Sequence, residues 1–252
     1  LKQLGLGALS YASVKNNLLP PGSPMNPTSR TPYHGLFSYL LPFIEQKSLW
    51  DRLALDRDPK TEPQALIDTT IPAYVCPSWS DPIVFSGNQY WYMNGAITTY
   101  QGCNGAILGT STTGVLTSQS GDLPNNGLVR VGEGGSAKEA TAAASLKLGK
   151  VTDGLSKTLL IAEFIQRDVN AAAPGAVRPW MLSNNGQRGL YTAKLVDLSP
   201  NQVVMRDVGG IQFNELPFSS RHPGGVMSVF GSSGMHEVVQ PRHGSLSREE
   251  PT

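Results

Sequence analysis

The first eighteen residues carry apolar side chains at helical spacing, and polar side chains occupy the other side. Leu4, Ala8 and Tyr11 fall on one face of such a helix. The helix must stop at Pro20-Pro21-Gly22, because proline donates no backbone hydrogen bond and restricts the residue before it. The pattern predicts an amphipathic helix over residues 1–18, begun upstream of Leu1, whose apolar stripe packs against the rest of the chain.

The rest of the 252-residue chain favours turns and short strands. It holds 27 glycines and 19 prolines, and 15% of its residues are charged, compared with about 25% in typical soluble domains. We predict a second helix over 42–55 and a short helix over 137–148. Strand-like runs separated by turn residues occur at 71–76, 97–101, 128–131, 158–165, 202–208 and 226–230.

Helices followed by strands, without regular alternation, predict an α+β fold in which the N-terminal helix packs on a largely antiparallel sheet. The polar, poorly periodic segments 104–127 and 168–200 are expected to form long surface loops.

Charge and motif content exclude several classes of function. Twenty basic residues balance nineteen acidic ones, so no strong field would attract nucleic acid or an anionic membrane. The sequence contains neither a Gly-x-Ser-x-Gly elbow nor a His-Glu-x-x-His motif, and no two His or Cys residues stand at zinc-ligand spacing. We therefore expect no catalytic residues, no metal and no cofactor. An all-oxygen calcium site in the loops stays open as an alternative, although no calcium motif supports it.

Three polar residues beside tight turns form a candidate binding cluster. Asp153 belongs to an Asp-Gly turn, Glu163 stands inside an apolar strand, and His222 precedes a Pro-Gly-Gly turn. A carboxylate in an apolar strand is costly unless it is paired or hydrogen-bonded. Either the three side chains converge on a ligand, or they satisfy turn amides and one another; turn residues of this kind usually do the latter, which favours the structural interpretation.

The cysteines and the aromatic residues each permit two interpretations. Cys76 and Cys103 either form one disulfide or are two unrelated buried thiols, and their spacing alone does not decide. Tyr90, Trp91 and Tyr92 form an aromatic cluster on a polar loop, which suits an exposed surface that stacks on a ligand such as carbohydrate. Buried in the core, the same rings would have no binding role.

Six segments, taken in order, resemble one family. They are Leu1-Lys2-Gln3-Leu4, Leu40-Leu41-Pro42-Phe43-Ile44-Glu45-Gln46, Tyr74-Val75-Cys76-Pro77-Ser78, Tyr100-Gln101-Gly102-Cys103-Asn104-Gly105, Val151-Thr152-Asp153-Gly154-Leu155-Ser156-Lys157-Thr158 with Glu163, and His222-Pro223-Gly224-Gly225. They resemble the prepilin-type family of planctomycete bacteria catalogued as domain of unknown function 1559. The family's C-terminal motif is His, nine residues, then Asp-Gly; here Ser232-Ser233 stand in place of Asp-Gly.

The resemblance implies a single pilin-like domain over 1–252, in which residues 1–19 end the N-terminal helix and 20–252 form an α+β head. It implies a non-catalytic structural subunit of a type IV pilin-like or type II secretion pseudopilus-like assembly, homo-oligomeric or built with other pilin-like subunits. The head would be extracytoplasmic, at the cell surface or in the periplasm, and anchored in the membrane only through a helix upstream of Leu1. For such a compartment we predict a Cys76–Cys103 disulfide. The alternative function is an extracytoplasmic carbohydrate-binding module.

Overall fold

The computed structural model describes residues 1–85, 94–107, 115, 118, 120–165, 178–186, 188–204, 212–222, 225–232 and 235–239. Within them are five α-helices: α1 Lys2–Val14, α2 Leu36–Leu40, α3 Lys47–Trp50, α4 Gln64–Ile67 and α5 Ala137–Ala143. The strands are β1 Ser23–Asn26, β2 Thr31–Pro32, β3 Val84–Phe85, β4 Gly95–Thr98, β5 Tyr100–Gly105, β6 Val131–Glu133, β7 Leu159–Glu163, β8 Arg178–Pro179, β9 Ala193–Leu195, β10 Gly225–Phe230 and β11 Met235–Val239. No helix of this described part is both long enough and apolar enough to cross a membrane.

A five-stranded sheet organises the molecule, with strand order β11-β10-β7-β5-β9. Its first three pairings are antiparallel, and β9 runs parallel to β5. Two smaller sheets, β2-β1-β6 and β3-β4-β8, lie beside it. Few helices and mostly antiparallel pairing confirm the predicted α+β fold.

The helix α1 packs on one face of the large sheet, against β7 and β10. Its apolar stripe is buried, with Leu4 and Ala8 fully inaccessible to solvent. Gly5 permits the close approach, because a Cβ atom there would lie 2.5 Å from Cγ2 of Val229 in β10. The predicted helix of residues 1–18 is therefore confirmed, although α1 ends at Val14 and the next residues form a turn.

The second predicted helix, over 42–55, is wrong. α2 runs into a 3-10 turn over Leu41–Phe43, and α3 begins only at Lys47. Between them Glu45 has φ of 65°, a left-handed conformation that no continuous α-helix contains. Pro42 thus lies in a short 3-10 turn and does not begin a long helix. The third predicted helix, over 137–148, forms only its first half as α5, with a capping box between Ser136 and Glu139.

The predicted strands have mixed outcomes. Those at 158–165 and 226–230 are confirmed as β7 and β10, and 97–101 spans the end of β4 and the start of β5. The run 128–131 is displaced toward β6. The run 71–76 is wrong, because Pro72–Tyr74 form a 3-10 turn in which proline supplies no ladder donor. Residues 202–204 form no strand, and 205–208 lie outside the described residues.

The expectation of a surface loop over 168–200 is also wrong for its described part. Trp180, Tyr191 and Lys194 are all buried there, and the segment supplies β8 and β9. Lys194 places its ammonium 3.3 Å from the centroid of the Phe213 ring and donates to the Phe213 carbonyl at 2.8 Å. The polar composition of this segment therefore predicted a surface loop wrongly, because its charged groups are satisfied inside the core.

Replacing Gly5 with Ala tests the contact between α1 and the sheet. In an open helix this change stabilises by about 1 kcal/mol. Here the clash with Val229 should outweigh that gain, and we expect a net loss of roughly 1–2 kcal/mol in the free energy of unfolding, as for other overpacked cores. Urea denaturation measures the loss. Adding Val229→Ala should remove the penalty of Gly5→Ala, whereas Gly149→Ala, whose Cβ would meet nothing within 4 Å, serves as the control.

Buried His34 should make the fold sensitive to acid. Its Nδ1 lies 3.0 Å from the Ser38 hydroxyl and its Nε2 lies 3.4 Å from Oε1 of Glu62. Burial lowers the pKa of His34 from 6.5 to about 4. His34 is therefore neutral in the folded protein at pH 7.

Between pH 6.5 and 4 the unfolded chain binds the His34 proton and the folded chain does not. The free energy of unfolding should therefore have its full value above pH 6.5. It should fall by up to about 3 kcal/mol as the pH drops toward 4. Urea denaturation at a series of pH values measures this slope. In His34→Asn the slope over this range should become shallower, and an equal slope in both proteins would contradict the assignment.

Candidate functional site

Glu163 ends β7 and directs a buried carboxylate onto the face of the sheet that α1 covers. It stands opposite Tyr100 of β5 in the antiparallel register, so both side chains lie on one face. The Glu163 side chain is 2% exposed. Its Oε2 accepts a hydrogen bond from the backbone N–H of Met227 at 2.9 Å. The carboxylate that the sequence marked as costly is thus partly satisfied by the neighbouring strand β10.

Cys76 reaches the same point from a different part of the chain. The 3-10 turn over Pro72–Tyr74 precedes it, and its backbone N–H donates to Oγ1 of Thr99 at 2.6 Å. Thr99 in turn donates its backbone N–H to the Tyr74 carbonyl at 2.9 Å. These bonds attach the turn to the junction of β4 and β5, and they aim the buried thiol at Glu163.

His222 approaches from the segment that precedes β10. Ser219 pairs with the end of β7, donating its N–H to the Glu163 carbonyl at 3.1 Å and accepting from the N–H of Ile165 at 3.2 Å. The N–H of His222 then donates to Oγ of Ser220 at 3.0 Å, which closes the turn. The His222 side chain is 38% exposed, so the site communicates with solvent through this imidazole.

The three functional atoms form a compact triangle. Sγ of Cys76 donates to Oε1 of Glu163 at 3.0 Å, Nε2 of His222 lies 3.1 Å from the same oxygen, and Sγ lies 3.4 Å from Nε2. We name this group the Cys76–Glu163–His222 cluster. Within the described part of the chain it is the one group of three or more His, Cys, Asp or Glu residues whose ligand atoms converge closely enough to hold a metal ion.

A second contact ties the two loops of the site together. The Arg221 guanidinium pairs with the Asp81 carboxylate, donates to Oγ of Ser80 at 2.6 Å and lies 4.8 Å from the centre of the Trp79 ring. Arg221 precedes His222, and Trp79 follows Cys76 by three residues. The contact therefore holds the loop of the thiol against the loop of the imidazole.

The surroundings keep the thiol protonated. Burial is the largest cause of a raised pKa at Cys76, and Glu163 adds to it through a hydrogen bond and its negative charge. Burial, followed by the charges of Cys76 and Glu163, raises the pKa of Tyr100. A thiol in this state is a weak nucleophile, since the thiolate is the reactive form.

The histidine also lacks the arrangement of a cysteine-hydrolase site. There, the imidazole contacts the nucleophile with one nitrogen and its orienting partner with the other. Here both Cys76 and Glu163 approach the same nitrogen, Nε2 of His222. The geometry favours coordination over nucleophilic catalysis.

The sequence-predicted cluster is brought together only in part. Glu163 and His222 meet, but Asp153 is exposed and outside the Cys76–Glu163–His222 cluster; its carboxylate accepts a hydrogen bond from the neighbouring Thr152 hydroxyl at 3.2 Å. Cys76 is a partner that the sequence pattern did not predict, because it lies 87 residues from Glu163 and 146 from His222. The adjoining Cys-Pro-Ser segment was the one available signal, and it carried no ligand spacing. The aromatic residues Tyr90, Trp91 and Tyr92 lie outside the described residues.

The predicted Cys76–Cys103 disulfide is wrong: both cysteines are free. Strand alternation gives the reason. Cys103 is three residues after Tyr100 in β5, so the two side chains lie on opposite faces of the sheet. Cys76 packs with Tyr100 in the core under α1, whereas Cys103 belongs to a second core with Phe164. Burial raises the pKa of Cys103 to about 12.

The fold and site define an α+β protein with a buried cysteine, a buried glutamate and a partly exposed histidine at one end of its sheet. The chain matches the family described as protein of unknown function, DUF1559, over residues 1–240, and it belongs to that family. No curated protein and no solved structure matches it.

Replacing Arg221 with Ala should loosen the site without unfolding the protein. We expect Cys76 to be alkylated several-fold faster in the folded variant, because its loop is no longer held against the loop of His222. Cys103 lies in the other core, and its reaction rate should not change. Timed alkylation followed by peptide mass spectrometry measures both rates. The exposed Arg52 is the matched control, and an equal rate for Cys76 in both variants would argue against the clamp.

Proposed function

We propose that this chain is the head of a structural, non-catalytic subunit of a type IV pilin-like or type II secretion pseudopilus-like assembly. The observation that carries the proposal is the solvent-facing side of α1. Of the thirteen residues of α1, only Lys2 is charged. A helix on the surface of a monomer normally presents charged residues opposite its apolar stripe.

That side combines exposed apolar side chains with small polar ones. Leu6 is 45% exposed and Val14 is 65% exposed, and the serines Ser10 and Ser13 lie on the exposed side of the helix. Exposed apolar groups of this kind favour burial against another subunit. Small residues between them permit a neighbouring helix to approach closely. We name the surface formed by Leu6, Ser10, Ser13 and Val14 the outer face of α1.

On this proposal the helices of successive subunits pack through the outer face of α1, and the sheet with its loops faces outward. A contact between different surfaces of identical subunits, repeated without closure, builds a filament. The head would be extracytoplasmic and would reach the membrane only through a helix upstream of Leu1. The balanced charge of the chain, +1 overall, gives no support to a nucleic-acid partner.

A charge on the outer face of α1 should prevent assembly and leave the fold intact. We expect Leu6→Glu in the full-length precursor to abolish filaments or cell-surface assemblies, because a carboxylate buried between subunits is strongly unfavourable. Electron microscopy and sedimentation of surface fractions from the native host measure assembly, and circular dichroism of the purified head checks the fold. Lys157→Glu changes an exposed residue far along the chain and serves as the control.

Disulfide crosslinking through Ser10→Cys, in a Cys76→Ala, Cys103→Ala background, supplies a second measurement. On the proposal, oxidation of the assembled Ser10→Cys variant yields covalent dimers. Thr152→Cys in the same Cys76→Ala, Cys103→Ala background yields none. Normal assembly of Leu6→Glu together with the absence of Ser10→Cys dimers would overturn the proposal.

A further inference from the structure

We propose that the Cys76–Glu163–His222 cluster is a zinc site with three protein ligands and one coordination position open to solvent. This inference is independent of the proposed function, because it concerns the opposite, buried side of α1 and can be measured on the isolated chain. It rests on the convergence of three ligand atoms from distant segments, on the burial of Cys76 and Glu163, and on the chemistry of the donor set.

The dimensions of the triangle suit a zinc ion. Its sides are 3.0, 3.1 and 3.4 Å. The point equidistant from the three atoms lies about 1.8 Å from each, slightly less than zinc–ligand bonds of about 2.0–2.3 Å. An ion would therefore sit just out of the plane of the three atoms, with small outward movements of the ligands. The three ligand atoms then form the base of a tetrahedron around the ion, and its fourth corner remains available to water.

When His222 carries its proton on Nε2, one contact of the metal-free cluster lacks a hydrogen bond. The Cys76 thiol donates to Oε1 of Glu163, and an Nε2–H of His222 can donate to the same oxygen. The contact between Sγ and Nε2 then has no proton between them, because both protons point at the carboxylate. A cation at the centre makes all three contacts favourable at once.

The donor set selects the class of metal. A thiolate, an imidazole and a carboxylate together favour a borderline ion such as Zn²⁺, whereas Ca²⁺ takes oxygen ligands. The cluster thus gives no support to the calcium alternative raised by the loops. Binding breaks the Cys76 S–H bond and forms a Zn–S bond, and the thiol proton passes to solvent. Nε2 of His222 must present its lone pair, so the imidazole binds in its neutral form with the proton on Nδ1.

Neighbouring groups are placed to support the ligands. The Met227 N–H holds the second oxygen of Glu163 and leaves Oε1 to face the centre. Oγ of Ser78 lies 3.0 Å from Sγ of Cys76. Hydrogen bonds of this kind stabilise a metal-bound thiolate. The half-exposed ring of His222 gives an ion a route from solvent.

Cobalt titration of the purified, reduced chain tests the proposal, since Co²⁺ reports thiolate and tetrahedral ligation by visible and near-ultraviolet absorption. We expect one equivalent to bind, with a thiolate-to-cobalt charge-transfer band, and Zn²⁺ to displace it. Cys103→Ala is the matched control and should keep the band, because Cys103 lies on the other face of the sheet. Cys76→Ser should abolish it. Glu163→Gln and His222→Gln should each weaken the affinity for Co²⁺ at least about tenfold. Loss of a residue that only hydrogen-bonds to a metal ligand already costs about this much.

A measurement on the unaltered protein covers the case in which a variant fails to fold. Zinc alone should protect Cys76 from alkylation and raise the midpoint of thermal unfolding, while leaving the slow alkylation of Cys103 unchanged. The proposal is overturned if the folded chain binds no Co²⁺ or Zn²⁺ at micromolar concentration, or if the charge-transfer band survives Cys76→Ser. Because these measurements need no assembly, they can fail while the pilin-like proposal stands, and the reverse also holds.

Discussion

The antiparallel pairing of β5 with β7 decides which side chains meet in this protein. It sets Tyr100 opposite Glu163, and side chains alternate between the two faces of the sheet along each strand. One face receives α1, Cys76 and the buried carboxylate, and the other receives Cys103 and a second apolar core. A shift of the register by one residue would exchange the two faces and separate the cluster.

Burying Glu163 imposes a requirement that the surrounding loops meet. An ionised carboxylate at 2% exposure must be compensated by hydrogen bonds or by a cation. The N–H of Met227, the Cys76 thiol and the His222 imidazole all converge on its two oxygens. The segments around Cys76 and His222 are thereby attached to the end of the sheet, with Arg221 holding one against the other. The same arrangement that locks these loops also presents a set of metal ligands.

Periodic features were predictable because they depend on neighbours within a few residues. The stripe of α1 and the strands β7 and β10 follow directly from their apolar patterns. The predicted helix over 42–55 failed because Glu45 takes a left-handed conformation, which no apolar pattern encodes. The segment containing Trp180 and Lys194 was wrongly predicted to be a surface loop. Its polar groups are satisfied by distant carbonyls and rings, and the composition of the segment does not reveal these contacts.

The sequence alone determined the α+β class, the buried stripe of α1, the balanced net charge and the need of Glu163 for a partner. Its collinear motifs also indicated the family. Only the tertiary structure decided that Cys76, rather than Asp153, joins Glu163 and His222, and that the two cysteines stay apart. The physical reason is that helical and strand periodicities are local, whereas the meeting of residues 87 and 146 positions apart depends on strand register and on which face of the sheet each loop crosses.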